Sequence, residues 1–159
     1  MAEEALVVRS QMIALESLRL VLPNTAIAEV IAYTQPELPE NMPEWFLGYA
    51  PWRGYRIPVV SFEIMVEQPA SKPDRRSRII VLNSISADPN CAFYGMLATG
   101  IPRLMSLDAN NIQDAPEIGE TDSLMLRQVV IDKQGAVIPD QYELEARLKE
   151  HKLTISSDE

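Results

Sequence analysis

Two small β-barrels closed by one C-terminal helix are the mainly β fold that this 159-residue chain predicts. Three observations carry that reading. Short apolar stretches of strand length recur along the chain, parted by Gly and Pro turn signals rather than by helical patterns. One segment alone, Asp140–His151, combines helical apolar spacing with a clear start signal. The strands are also too many for one small barrel, so two account for them better, although no exact internal repeat divides them. An apolar content of 47% and a charged content of 23% suit a core-forming chain of one domain or two tightly fused subdomains.

Leu18–Leu22 alternates, with Leu18, Leu20 and Leu22 on one face, and predicts a half-buried strand closed by Pro23-Asn24. Ala26–Tyr33 reads as a strand, with a helical turn as the alternative. Thr34–Glu44 holds Pro36, Pro39 and Pro43, which exclude a regular helix or central strand and predict an extended connector. Glu44–Gly48 fits one helical turn ended by Gly48. Tyr55–Phe62 predicts a strand in which Pro58, lacking an N–H, takes an edge or bulge position. Arg78–Leu82 and Phe93–Ala98 are further strands around the turn signal Asp88-Pro89-Asn90. Gly100–Leu107 continues as a strand broken at Pro102, and Ala109–Thr121 is polar and loop-like. Gln128–Asp132 and Ala136–Ile138 predict a hairpin around Lys133-Gln134-Gly135, with Gly135 supplying the positive φ. In the helix, Asp140 is the N-cap and Glu143 completes a capping box. Leu144 and Leu148 form its apolar stripe, and Glu143–Arg147 and Glu145–Lys149 are favourable i,i+4 pairs. Residues 1–9 and 152–159 read as flexible termini, most clearly Met1–Glu4 and the polar end Ser156–Glu159.

Charge and composition narrow the chemistry. A net charge of −9 repels phosphate backbones and anionic lipid, so neither nucleic acid nor membrane insertion is expected. The basic cluster Lys72, Arg75, Arg76 and Arg78 reads as a solvated loop, with an anion site as the alternative. The lone cysteine, Cys91, forms no intrachain disulfide and has no histidine near it in sequence to activate it. The lone histidine, His151, suits the C-terminal end of a helix, where a cation meets the macrodipole. Cys/His metal sites are excluded by that count. The glycines form neither GxGxxG nor GxxxxGK[ST], and no G-x-S-x-G elbow exists. With neither a secretory signal pattern nor an apolar run of about 18 residues, the expectation is a soluble cytoplasmic protein. No catalytic residue, cofactor or metal is assigned, and the chain reads as non-enzymatic. Carboxylates are plentiful enough that an enzyme with a carboxylate site stays the alternative, although Glu37, Glu40 and Glu44 are better explained as solvation.

The feature that does point somewhere is an aromatic cluster around an Arg-Gly corner. Trp45, Phe46, Tyr49, Trp52 and Tyr55 place five of the ten aromatic residues within eleven positions. Aromatics and arginine dominate interaction hot spots. Phe46 is better read as core, whereas Trp52 and Tyr55 suit core and partner contact equally. Arg53 either staples a loop internally or meets a partner, and Gly54 supplies a backbone angle other residues resist. A β-barrel interaction module is the reading this supports.

At these residues the chain resembles the CheW-like domain family. Gly48, Arg53-Gly54 and Pro58-Val59 match its pattern of a glycine, an Arg-Gly corner and a Pro-Val strand. Leu20–Ile31, with Ala28-Glu29-Val30, is similar to its opening segment. Pro39 and Pro43 fall in its proline connector. Arg78–Leu82, Tyr94–Leu97 and Val129–Leu148 are similar to its later strands, closing hairpin and helix. The resemblance spans residues 10–150. It implies two intertwined, SH3-like five-stranded β-barrel subdomains about a shared core. It implies a non-enzymatic adaptor between a methyl-accepting chemoreceptor tip and the regulatory domain of a CheA-type histidine kinase. First-barrel loops would meet the kinase, and a groove between barrels the receptor. The partner-binding residues it implies are Ile27, Glu29, Trp52, Arg53, Gly54, Tyr55 and Pro58. Three departures stand out: Pro51-Trp52 before Arg-Gly, Ser61 after Val60, and Ala98-Thr99 in the strand that follows the second-half glycine. They make the chain similar to the specialised adaptors of ChpC and PilI type, which serve pilus chemosensory systems and twitching motility.

Overall fold

The computed structural model describes residues 7–70, 72–86, 88–115 and 123–157. In chain order the strands are β1 (Val8–Ala14), β2 (Arg19–Pro23), β3 (Ile27–Ala32), β4 (Phe46–Trp52), β5 (Tyr55–Val60), β6 (Arg78–Asn83), β7 (Phe93–Ala98), β8 (Arg103–Leu107), β9 (Ile112–Asp114), β10 (Met125–Ile131), β11 (Gln134–Pro139) and β12 (Ser156–Ser157). Helix α1 (Phe62–Met65) follows β5, and α2 (Gln141–Glu150) follows β11. Two curled sheets result. The first runs β8-β1-β2-β11-β10-β9; the second runs β12-β5-β7-β6-β3, with β4 on the other side of β5. Each sheet thus has five principal strands plus one very short one, β9 or β12.

Three apolar clusters explain the arrangement. One lies around Met12, Val21, Val129 and Ile131 on the first sheet, and one around Trp52, Ile57, Val59 and Ile79 on the second. The largest joins both sheets to α2 through Leu20, Leu22, Phe46, Val60, Leu144 and Leu148. The helix supplies the predicted Leu144–Leu148 stripe, and both side chains are fully buried. Each buried leucine contributes about 2 kcal/mol relative to exposure, which holds α2 over the seam between the sheets.

Several local expectations change. β2 is covered on both faces: Leu20 and Leu22 enter the shared core while Val21 enters the first-sheet cluster. The chain also opens earlier than expected, since Val8 and Arg9 already pair with Leu107 and Ser106. Residues 44–45 form a turn, and Gly48 lies within strand β4 rather than ending a helix. It sits at a β-bulge with φ +125°, where an added Cβ would lie 2.5 Å from the Glu37 carbonyl oxygen. The predicted Tyr55–Phe62 strand ends at Val60, because the Ser61 hydroxyl accepts the Ile64 N–H and caps α1. The second hairpin turns at Asp132-Lys133, with φ of +47° and +68°, and leaves Gly135 inside β11. Asp140 caps α2 by accepting from the Glu143 N–H. The reciprocal half of the capping box is missing, because the Asp140 N–H donates to the Leu124 carbonyl. Glu143 pairs with Arg147 as predicted, but Glu145 is buried and Lys149 pairs with Asp88 instead. The frayed-end reading of Met1–Glu4 and of 158–159, and the part of the polar loop at 116–121, lie outside the described residues.

Candidate partner-docking site

The β4–β5 hairpin is closed by two residues, Arg53 and Gly54, with φ of +47° and +79°. Positive φ at both positions is the turn that matches strand twist, and glycine at the second makes it cheap. Trp52 pairs with Tyr55 across it. The side chains then diverge. The Trp52 ring is buried to 7% exposure in the second-sheet cluster, 4.8 Å from the ring of Phe93. Its Nε1–H donates to Glu29 Oε1 at 3.2 Å. Arg53 Nε donates to the same oxygen at 3.0 Å, and Arg53 Nη2 lies 2.8 Å from it. The guanidinium also lies 5.1 Å from the Trp52 ring centroid, within cation–π range.

This knot has a topological role. Following the pairing, the second sheet runs β4-β5-β7-β6-β3, so β3 and β4 are the two ends of the curled strip. Glu29 is on β3 and Trp52 is on β4. Three donors on one carboxylate oxygen therefore bridge the seam where the strip closes on itself. The accessible face of the corner is then the Arg53 side chain, 68% exposed, with Gly54 and the half-open Tyr55 beside it.

A second ion pair continues the surface. Arg56 Nη2 lies 2.6 Å from Glu37 Oε2, and its guanidinium sits 5.4 Å from the Tyr49 ring centroid. Burial raises the Tyr49 hydroxyl pKa above its ordinary value, against the opposing pull of Arg56. Glu37 reads as mere solvation in the sequence, yet its backbone bridges to Tyr49 at 2.9 and 2.8 Å while its carboxylate holds Arg56. The turn type carries the signal for this pair: a two-residue loop at Arg53-Gly54 sets Arg56 opposite Pro51, diagonal to Tyr49.

The other implied site residues separate from this group. Ile27 packs against the shared core at the start of β3. Pro58 is buried and is not on an edge: β5 has β4 on one side and β7 and β12 on the other. It is tolerated because β7 pairs only with Val59 and Val60 and β12 only with Arg56 and Tyr55, so Pro58 falls in the gap between them. The structure thus gathers Glu29, Trp52, Arg53, Gly54 and Tyr55, and sends Ile27 and Pro58 inward.

Elsewhere, a hollow of about 500 Å³ lies between the β1–β2 turn and the β10–β11 hairpin, lined by Leu15, Leu18, Val129 and Val137 among others. Its Glu16-Ser17 wall is clamped from α1 by buried Glu63, which accepts the N–H groups of both residues at 3.1 and 2.7 Å. Glu145 is used similarly, accepting from the Ser84 and Tyr94 hydroxyls and the Ile85 and Ser86 N–H groups. Both buried carboxylates are thus engaged in tying loops to helices. Cys91 is buried; burial first, then the nearby Glu145 charge, pushes its thiol up to about 11, away from a reactive thiolate. His151 stands edge-on to Trp45 with ring centroids 5.2 Å apart. Among the described residues, no group of three or more His, Cys, Asp or Glu could hold a metal, and no helix is long and apolar enough to cross a membrane.

Comparison with known proteins bears on the family and the fold. The CheW-like domain family matches residues 10–145. The chemotaxis protein CheW of Klebsiella aerogenes is 26% identical over 95 residues, which cover 60% of this chain and 54% of that protein. The chain therefore spans about half the length of the curated relative it matches. The crystal structure of the scaffolding protein TtCheW from Thermoanaerobacter tengcongensis superposes with a TM-score of 0.71 at 18% identity, covering 85% of this chain and 90% of that one. At that identity the likeness speaks for the fold, two SH3-like subdomains with a C-terminal helix.

Proposed function

The chain belongs to the CheW-like domain family, and from that premise we propose that it is a non-enzymatic cytoplasmic adaptor coupling chemoreceptors to a CheA-type histidine kinase. The observation that carries the reading is the Glu29–Trp52–Arg53 knot. It fixes a solvent-facing guanidinium over an indole, next to Tyr55. Preorganised Arg and aromatic groups suit a docking surface because little rotamer freedom remains to be lost on binding. In this reading the corner of the second sheet, rather than a loop of the first, meets the regulatory domain of the kinase. The hollow beside the Glu16-Ser17 turn, set within the first sheet rather than between the barrels, meets the methyl-accepting receptor tip. The departures at Pro51-Trp52, Ser61 and Ala98-Thr99 favour a pilus-type chemosensory pathway.

The test is binding to the purified CheA-type kinase encoded in the same genome. Arg53→Glu and Tyr55→Ala are each expected to weaken the complex about tenfold or more, roughly 1.4 kcal/mol. Unchanged affinity in both folded variants removes the corner from the interface.

A further inference from the structure

β5 is covered unevenly. β7 runs beside it only at Val59 and Val60, and Pro58 offers no N–H. On that side the stretch Tyr55–Ile57 lies beyond β7 and leaves a strand edge that β7 does not cover. The segment after α2 runs there: Ser156 pairs with Arg56 and Ser157 with Tyr55, antiparallel. The route is short and sparsely anchored. After α2 the backbone reverses at Lys152, φ +57°. Leu153 is buried, and its N–H donates to the Leu148 carbonyl at 2.8 Å. The Ile155 N–H donates to the Asn90 carbonyl at 2.9 Å, and its half-buried side chain rests on the cluster that holds Trp52. Beyond it, among the described residues, the hold consists of two paired residues, and Ser156 is exposed. So short a strand sits at the low-stability end of the fold.

We propose that the C-terminal tail is a displaceable strand filling a strand-addition slot on β5, and that a partner docking at the Trp52–Tyr55 corner takes this slot with an extended segment of its own. The tail shows what the slot accepts: a segment antiparallel to β5, an apolar residue where Ile155 rests, then small residues paired with Arg56 and Tyr55. Backbone pairing supplies the affinity in such strand addition, and the apolar position supplies selectivity. While the tail is seated, the partner must displace it, so the tail lowers affinity at the corner. This rests on the corner being the kinase-docking surface.

The experiment joins the two strands covalently. An Arg56→Cys/Ser156→Cys double variant sets cysteines at directly opposed positions, within reach of a disulfide. Cys91, buried and with its thiol pushed up to about 11, stays out of the exchange. Affinity for the kinase is measured on the oxidised and reduced forms of this one variant, and on a chain truncated after Thr154 beside the full chain. The oxidised form is expected to bind at least tenfold more weakly than the reduced form, and the truncated chain more tightly than the full one. Should Arg56→Cys weaken both redox forms beyond measurement, the truncation comparison decides alone. Equal affinity across redox forms, or across chain lengths, overturns the gating strand and leaves the docking corner standing. Failure of the full and truncated chains alike to bind overturns the docking reading, and the gate with it.

Discussion

The indole of Trp52 is divided between two roles that its residue type alone does not separate. Its body packs in the second-sheet cluster against Phe93, and its Nε1–H reaches out to Glu29. Trp52→Ala is therefore expected to cost about 3–5 kcal/mol of folding stability through the cavity it leaves. Trp52→Phe retains most of the packing and loses the tie to Glu29. Urea unfolding separates the two, with a lowered midpoint at unchanged slope for the alanine variant. Loss of kinase binding on Trp52→Ala would then report unfolding as much as contact. Arg53→Glu lessens that ambiguity, because the Arg53 side chain is 68% exposed and surface ion pairs contribute about 1 kcal/mol or less. Aromatic and arginine enrichment at this corner is plain in the sequence. The partnership with Glu29 is not, because it arises only when β3 and β4 meet as the two ends of a curled strip.

Among the elements, the two hairpin turns make an instructive pair. Arg53-Gly54 and Asp132-Lys133 both hold two residues at positive φ, but only the first places glycine second. Lysine at φ +68° carries the left-handed penalty that glycine escapes. Lys133→Gly is expected to raise stability by about 1 kcal/mol, read as a higher thermal midpoint, and an unchanged or lower midpoint refutes the argument. The sequence misplaces this turn because Gly135 draws the loop toward itself. The cross-strand match of Val129 with Ala136, both in the first-sheet cluster, fixes the register instead. Helix α2 is the most legible element, since its cap and its Leu144–Leu148 stripe are local signals. The assignment of Glu145 to a pair with Lys149 fails for the opposite reason. That carboxylate's partners come from the β6–β7 loop, some sixty positions away.

At the scale of the molecule, Glu63 and Glu145 act as struts between loops and helices rather than as surface charges. Burial by itself pushes the Glu145 carboxyl up, but hydrogen bonds from Ser84, Ile85 and Ser86 outweigh it and hold the carboxyl below its ordinary value of 4.5. A depressed folded value means that this contribution is fully present above 4.5 and is lost as pH falls through the folded value. Glu145→Ala is expected to cost about 2–4 kcal/mol at neutral pH, because it leaves buried donors unpaired. The gap between variant and parent should narrow on acidification below 4.5, as followed by urea unfolding at stepped pH. Barrel architecture was readable from strand spacing. The connectivity was not, because strand spacing leaves pairing between distant strands undetermined. β2 and β11 come from opposite ends of the chain and pair in parallel at Leu20 and Val137, whereas the second sheet is drawn, apart from its tail, from the stretch Ile27–Ala98. During synthesis on the ribosome, the inner module has every principal strand in hand while the outer one still waits for its final hairpin. The nascent β1–β2 hairpin must therefore wait for its β11 partner until Gln134–Pro139 has emerged, a window in which a chaperone would find it.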